Sequence, residues 1–242
     1  MRPIRLAMAA LAVAPMSALP GPAGAAERPY AFVQGASTLP ESALELESWF
    51  GEEKPRTGPA GWDWWLGPVL GVTDRVEAGL FAILGQAGAP QGAPEAMALE
   101  SLRLQLSWAL ADPGAWPVDV RLRVEASQPV GPEHAAVWLW AIAARDLGRF
   151  NATVNLAGWL EFEDPVGRYV DWLAGASYQV ARGVRLGAEL HGSAELGKES
   201  TVFAGPALAL GRGRVWVSSA MGFGLGAHGP SHHGRIVIGL AL

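Results

Sequence analysis

The sequence predicts an all-β protein, an antiparallel up-and-down transmembrane β-barrel of about 12 strands. Apolar and polar residues alternate in period two over most of the chain. No apolar run after residue 26 reaches the length of a transmembrane helix, and the connections fall into a short and a long class. Half of the residues are hydrophobic, and alternation places them on one face of many strands, as in outer-membrane barrels.

Residues 1–25 have the features of a cleaved secretory signal peptide. Two arginines precede a largely apolar stretch over 6–19, and the small residues Ala23-Gly24-Ala25-Ala26 follow. This order is typical of exported proteins, and we expect cleavage after Ala25 or Ala26. A membrane anchor is the competing interpretation, but the apolar run is too short for one.

The composition limits the classes of partner and site. The chain has no cysteine, so no disulfide holds it together despite the predicted export. A formal net charge of −5 argues against nucleic acid as a partner. We expect no bound cofactor and no metal site.

Alternation is clearest in 75–84, 118–126, 150–156 and 184–190, where even positions are apolar and most charges stand on odd positions. A strand sends such residues to opposite faces, whereas a helix would scatter them. The Gly, Pro, Asp and Asn punctuation then divides the chain into twelve strands, with ten or fourteen as alternatives. The predicted strands are 41–50, 60–72, 75–86, 96–110, 117–127, 135–145, 150–162, 167–180, 184–195, 200–211, 214–224 and 233–242.

The connections predict an orientation. Those after strands 2, 6, 8 and 10 are tight, and most of the others are longer and richer in Gly, Pro and charge. Outer-membrane barrels have short periplasmic turns and longer outer loops. We therefore expect a periplasmic arm over 26–40, followed by an outer-membrane barrel over 41–242.

Even-numbered residues form most of the predicted lipid face, with strand 11 as the exception. Aromatic residues near strand ends are expected to form belts at the headgroup level: Trp62, Trp64, Trp108, Trp116, Trp172 and Tyr178. A soluble β-barrel or sandwich with an aromatic core is the alternative. A soluble barrel needs a polar exterior, however, and the apolar face here consists mainly of Ala, Val, Leu and Ile.

Odd positions then supply the lumen. The candidate lumen-lining residues, for binding or for a pore, are Glu45, Glu77, Arg103, Arg121, Arg123, Arg185 and Glu189. A twelve-stranded barrel lies between filled and open barrels. These charges are therefore compatible with a salt-bridged, closed interior and with a narrow polar conduit.

Two groups of residues are candidates for a catalytic site and a metal site. His191 and Ser193 share a predicted strand face with Glu189 and Glu195, an arrangement that resembles a hydrolase set. Any lumenal strand provides such polar pairs, so we predict no catalytic residues and no enzyme. The loop histidines His228, His232 and His233 lack the carboxylate or thiolate companions typical of a metal site.

Several segments resemble a bacterial family of outer-membrane transporter-like proteins associated with a meta-pathway of phenol degradation. The similar segments are 36–47, the hairpin VLGVTDRVEAGL at 69–80, 145–155, and the region from 176–178 through 185–190. The resemblance implies a barrel that moves small hydrophobic or aromatic compounds, and it brings no catalytic residues.

The expected function is that of a monomeric channel or transporter-like protein in the outer membrane of a Gram-negative cell. The expected partners are outer-membrane lipid, the barrel assembly machinery and a small-molecule cargo of unknown identity. A sealed structural, ligand-binding or adhesion barrel that acts through its outer loops is the alternative, and a barrel lipid hydrolase is a remote one.

Overall fold

The computed structural model describes residues 28–86, 97–130, 134–226 and 229–242, and the predicted signal peptide lies outside these residues. Twelve strands pair antiparallel in sequence order, and β1 pairs with β12 to close the barrel. The predicted fold class is confirmed. The strands are β1 Leu44–Lys54, β2 Gly61–Thr73, β3 Val76–Gln86, β4 Ala98–Ala109, β5 Asp119–Pro129, β6 Ala136–Leu147, β7 Phe150–Glu161, β8 Gly167–Ala181, β9 Val184–Glu195, β10 Ser200–Arg212, β11 Val215–Leu225 and β12 His232–Ala241.

The two ends of the barrel differ. At the end where β1 begins, which we name the turn end, three two-residue turns each carry a glycine at positive φ: Gly148, Gly183 and Gly213. Glycine reaches this backbone region without a steric cost, and tight hairpins require it. The connection from β4 to β5 is the longer one at the turn end, and most connections at the opposite loop end are also longer.

The barrel exterior is apolar. Leucines in the middle of outward-facing rows are about half exposed, as at Leu104 with 55% and Leu156 with 56%. Exposed aromatic side chains lie near both ends, with Trp108, Phe150 and Tyr178 near the turn end and Phe162 and Phe223 near the loop end. Such a surface suits lipid chains flanked by two headgroup layers. No helix in the four described ranges is long and apolar enough to span a membrane.

Strand β6 departs from the predicted pattern of outward even positions. Trp140 pairs with Arg123 of β5, and Ile142 pairs with Arg121, so the even residues of β6 face the lumen. Because β6 is apolar on both faces, its own sequence carries no alternation, and the pairing with β5 fixes its orientation. As a consequence Arg145, an odd-numbered residue that the general pattern would place in the lumen, is exposed and pairs with the outward-facing Ala152.

A charge in the middle of the exterior is expected to destabilise the barrel. Leu104→Arg should lower the free energy of unfolding in lipid vesicles by about 2–4 kcal/mol, the range for an arginine at the bilayer midplane. Urea-dependent unfolding measures the effect. Leu196→Arg, in the connection between β9 and β10, is the matched control. Equal effects of the two substitutions would argue against a lipid-facing Leu104.

Candidate functional site

The lumen is occupied by the chain's own residues 28–39, which we name the inner segment. Tyr30, Ala31, Phe32 and Val33 are only 2–3% exposed and pack in the core cluster of the barrel. This corrects the predicted periplasmic arm over 26–40, because its described residues fold back into the barrel. At its end the chain turns at Ser42, where φ is 63° and the backbone N–H donates to the Gly71 carbonyl over 2.8 Å.

Glu189 holds the tip of the inner segment. Its carboxylate accepts backbone N–H bonds from Ala31 at 2.8 Å, Phe32 at 2.8 Å and Val33 at 2.7 Å. Glu189 as a whole is 4% exposed. A buried charge needs several donors to compensate for lost hydration. Here the backbone of the inner segment supplies them.

Asparagines of β7 hold the same segment from another side. The Gln34 backbone N–H donates to Asn155 Oδ1 over 2.7 Å, and Asn155 Nδ2 donates back to the Gln34 carbonyl over 2.9 Å. The Tyr30 hydroxyl donates to Asn151 Oδ1 over 2.8 Å. The reciprocal amide pair fixes both the position and the direction of the backbone.

A buried ion pair lies where the inner segment approaches the turn end. Arg121 Nη1 and Glu77 Oε1 are 2.8 Å apart, with side chains 2% and 5% exposed. Arg121 also donates to the Ser37 carbonyl over 2.9 Å, and Glu77 Oε2 accepts the Leu39 N–H over 3.0 Å. The pair is therefore bonded to the inner segment through both partners.

The first described residue of the segment is also bound. Arg28 forms an ion pair with Glu47, and its carbonyl accepts a hydrogen bond from the Ser218 hydroxyl. Glu47 in addition accepts the Trp49 indole N–H over 2.7 Å. Both ends of the inner segment thus contact the turn-end half of the lumen, while Phe32 reaches His191 and His233 deeper inside.

The seven predicted lumen residues all face the interior, but they do not border an empty pore. Glu77, Arg121 and Glu189 bind the backbone of the inner segment. Arg123 reaches the Gln34 side chain over 3.2 Å, and Glu125, which we did not select, pairs with Arg103 over 3.3 Å. The other two lie toward the turn end, where Glu45 accepts the Trp216 indole N–H and Arg185 donates to Ser177. Their role in binding or conduction stays a prediction.

Sequence reasoning selected none of the lumenal tryptophans as a candidate lumen-lining residue. Six of the eleven tryptophans lie on inward-facing rows: Trp49, Trp65, Trp138, Trp140, Trp159 and Trp216. We expected aromatics at the margins of the outer face, where Trp108 and Tyr178 indeed lie. A tryptophan at an inward position breaks the alternation of polar and apolar residues. It can be assigned to the lumen only when the register of its strand is known.

The loop-end half of the lumen is more open than the turn-end half. Inward side chains near the turn end, such as Glu47 and Ser218, are fully buried. We name the loop-end half the vestibule. Some of its inward side chains are buried, such as Ile83, Ser101 and Phe203. Others are only partly buried: Trp65, Arg103, Trp138, Trp159, Tyr169, His191, His233 and Arg235. The tip of the inner segment at Phe32 forms the floor of the vestibule.

The hydrolase constellation is not assembled. The Ser193 hydroxyl donates to Asp171 over 2.6 Å, whereas His191 packs against Phe32 and Phe203. No hydrogen bond between Ser193 and His191 occurs in the described part of the chain. Within 28–86, 97–130, 134–226 and 229–242 no group of three ligand-type side chains could hold a metal ion, and His228 lies outside these ranges.

No protein-family model and no curated protein matches this chain. Solved structures do. An outer membrane channel from Pseudomonas putida F1 has a TM-score of 0.57 at 13% identity, over 86% of this chain and 98% of the other. The NanC porin has a TM-score of 0.59 at 8% identity, over 83% and 100%. The translocator domain of the autotransporter NalP from Neisseria meningitidis has 0.51 at 12%, over 82% and 87%. At these identities the likeness establishes the barrel fold and leaves the family open.

Proposed function

We propose that the protein is an outer-membrane channel that the inner segment holds closed. The observation that carries this proposal is that a twelve-stranded barrel has its lumen occupied by the segment that precedes β1 in the same chain, bound only by non-covalent contacts. Barrels with eight strands fill with their own side chains, whereas this larger barrel takes in an additional stretch of backbone.

The inner segment is suited to move because, among the described residues, it is covalently joined to the barrel at one end only. Past Pro40 it continues into β1, and Arg28 at its other end is held by Glu47 and Ser218. Withdrawal toward the turn end would join the vestibule to the turn end through the space that residues 28–39 now fill. The lumenal carboxylates and guanidiniums would then line a polar conduit.

An outer-membrane location is supported by the apolar exterior and the aromatic side chains near both ends. The resemblance to transporter-like proteins of phenol degradation supports a small hydrophobic or aromatic cargo. The similar structures include an outer membrane channel and a porin, which favours conduction over catalysis.

Conductance in planar bilayers tests the channel. We expect the wild type to be closed for most of the time and a variant lacking residues 28–39 to give steady currents, with a mean conductance at least about tenfold higher because the lumen is then hollow. Heat-modifiable migration on a gel verifies that both barrels are folded. A folded deletion variant that conducts no more than the wild type would refute the proposal.

A sealed barrel that binds through its outer loops is the second candidate. The buried ion pairs around Glu77 and Glu125 favour it, because they stabilise a filled lumen. Recordings of the wild type discriminate the two functions, since a sealed barrel shows no openings while residues 28–39 are present, whereas a channel closed by the inner segment opens from time to time.

A further inference from the structure

Two buried carboxylates lie on the inward face of β1, in the turn-end half of the lumen. Glu45 and Glu47 are 1% and 0% exposed. Each accepts an indole N–H: Trp216 Nε1 donates to Glu45 Oε2 over 2.9 Å, and Trp49 Nε1 donates to Glu47 Oε2 over 2.7 Å. These four side chains form a fixed group, which we name the Trp–Glu site.

The Trp–Glu site depends on a glycine of β12. Gly239 pairs with Trp216 of β11 on one side and with Glu47 of β1 on the other. A Cβ atom on Gly239 would lie 2.1 Å from Cε2 and Nε1 of Trp216, far inside van der Waals contact. The missing side chain therefore lets the indole lie across β12 and reach Glu45 on β1.

The guanidinium of Arg28 occupies the Trp–Glu site. It forms an ion pair with Glu47, and its Cζ atom lies 5.5 Å from the Trp216 ring centroid and 6.0 Å from that of Trp49. Cations near indole faces are attracted by the ring quadrupole. The Arg28 side chain is 15% exposed and that of Glu47 is not exposed, so Arg28 lies on the solvent side of the site. The occupant belongs to the inner segment, which the proposed opening withdraws.

Withdrawal of Arg28 would leave both carboxylates without a close cation. Among the described residues Glu47 has no other ionic partner within 4.0 Å, and Glu45 has none. Arg121 attracts Glu47 from a longer distance, but it is paired with Glu77 at 2.8 Å. Glu45 Oε1 also lacks a hydrogen-bond partner in the described part of the chain. A cation that replaces Arg28 would therefore stabilise the open form by its own binding free energy.

We propose that Arg28 is a tethered occupant of a binding site for guanidinium compounds, and that such a compound takes its place at Glu47 when the inner segment withdraws. A guanidinium pairs with a carboxylate through two parallel N–H bonds and stacks on aromatic faces, whereas an ammonium is a strongly hydrated point charge. The inference rests on the proposed channel function for the withdrawal. It deepens that function by naming the chemical class of ligand that favours the open form.

Truncation of Arg28 tests the site, with methylguanidinium as the probe and methylurea as its neutral isostere. Tryptophan fluorescence of the folded full chain in detergent, at constant ionic strength in sodium chloride, measures binding. Arg28→Ala should bind methylguanidinium at least about tenfold more tightly than methylurea, because only the cation makes the charge-assisted contact. Equal affinity for the two probes would overturn the proposal.

The wild type and a second truncated arginine are the comparisons. The wild type should bind methylguanidinium at least about tenfold more weakly than Arg28→Ala does, because the tethered guanidinium competes at a high effective concentration. Arg75→Ala empties the exposed pair with Asp112 at the same end of the barrel and should gain no such binding. Equal affinities of the wild type, Arg28→Ala and Arg75→Ala would show that no site is vacated, and would refute the assignment.

Two further variants in the Arg28→Ala background locate the bound cation. Glu47→Gln should weaken methylguanidinium binding about tenfold or more, whereas Glu41→Gln, exposed at the turn end, should leave it unchanged. Gly239→Ala displaces the Trp216 indole and should weaken binding by about threefold to tenfold. Heat-modifiable migration verifies folding. Unchanged affinity in the folded Glu47→Gln or Gly239→Ala variant would contradict the Trp–Glu site.

Recordings in planar bilayers test the link to opening. Methylguanidinium should raise the open probability of the wild type, and methylurea should not; an unchanged open probability would contradict the displacement of Arg28. Binding to Arg28→Ala without conductance in the wild type or the deletion variant would retain the site and reject the channel. Conductance of the deletion variant without methylguanidinium binding to Arg28→Ala would retain the channel and reject the site.

Discussion

Glu189→Ala is expected to detach the tip of the inner segment and to lower the free energy of unfolding by about 3–5 kcal/mol. The substitution removes the one carboxylate that accepts the backbone N–H groups of Ala31, Phe32 and Val33. Three buried donors would lose their acceptor together, and each unsatisfied group carries its desolvation cost. Urea unfolding followed by tryptophan fluorescence measures the loss.

The same variant should also change the channel. If the tip of the inner segment is released, single-channel recordings of Glu189→Ala should show a higher open probability than the wild type. Glu195→Ala, on the same strand but at the loop end, is the matched control because its carboxylate pairs with Lys198 at a partly exposed site. An unchanged stability of Glu189→Ala would mean that the inner segment contributes nothing to the fold.

The second large effect is expected at the buried pair of Glu77 and Arg121. Arg121→Met should cost about 3–5 kcal/mol, because it leaves the Glu77 carboxylate buried without its closest cation. The double variant Glu77→Gln, Arg121→Met should recover much of this loss, because no uncompensated charge then remains. A double-mutant cycle by urea unfolding gives the coupling between the two side chains.

The pair of Arg75 and Asp112 provides the comparison. It has the same separation of 2.8 Å, but its side chains are 47% and 67% exposed. Exposed pairs are screened by water and salt, so Arg75→Met should have a small effect that vanishes at high ionic strength. A cost at Arg121 no larger than that at Arg75 would contradict the burial of the Glu77 pair.

The barrel was predictable because its physical signature is local. Leu102, Leu104 and Leu106 alternate with inward-facing residues, and such rows repeat from strand to strand. The turns at Gly148, Gly183 and Gly213 mark the strand ends in the sequence. Strand β6 lacks alternation, and its orientation follows from the register with β5, which the sequence of β6 alone does not contain.

The occupation of the lumen was not predictable in the same way. Residues 28–39 have no period of two, and their backbone pairs with barrel side chains that lie 38 to 190 positions away, such as Glu77 and Ser218. Only the closed barrel brings these partners together. The short apolar run from Tyr30 to Val33 was the one available signal, since an exposed periplasmic arm has no need of buried aromatic residues.

The vestibule illustrates an intermediate case. Alternation on β4 places Arg103 on the inward face of that strand. Its position between Trp65 and Trp138 depends on three strands and on the unpredicted orientation of β6. A charged residue on an alternating strand therefore shows which face of the strand lines the lumen. The side chains that it contacts can be predicted only when the register of the whole barrel is known.

Amide hydrogen exchange of the inner segment in the folded full chain tests the central claim most directly. The N–H groups of Ala31, Phe32, Val33, Gln34 and Leu39 all donate to lumenal side chains. We predict that peptides covering 29–40 exchange as slowly as peptides from β7, and that Glu189→Ala removes this protection over 31–33. Exchange of 29–40 at the rate of an unstructured chain, beside protected strands, would show an external arm and contradict the occupied lumen.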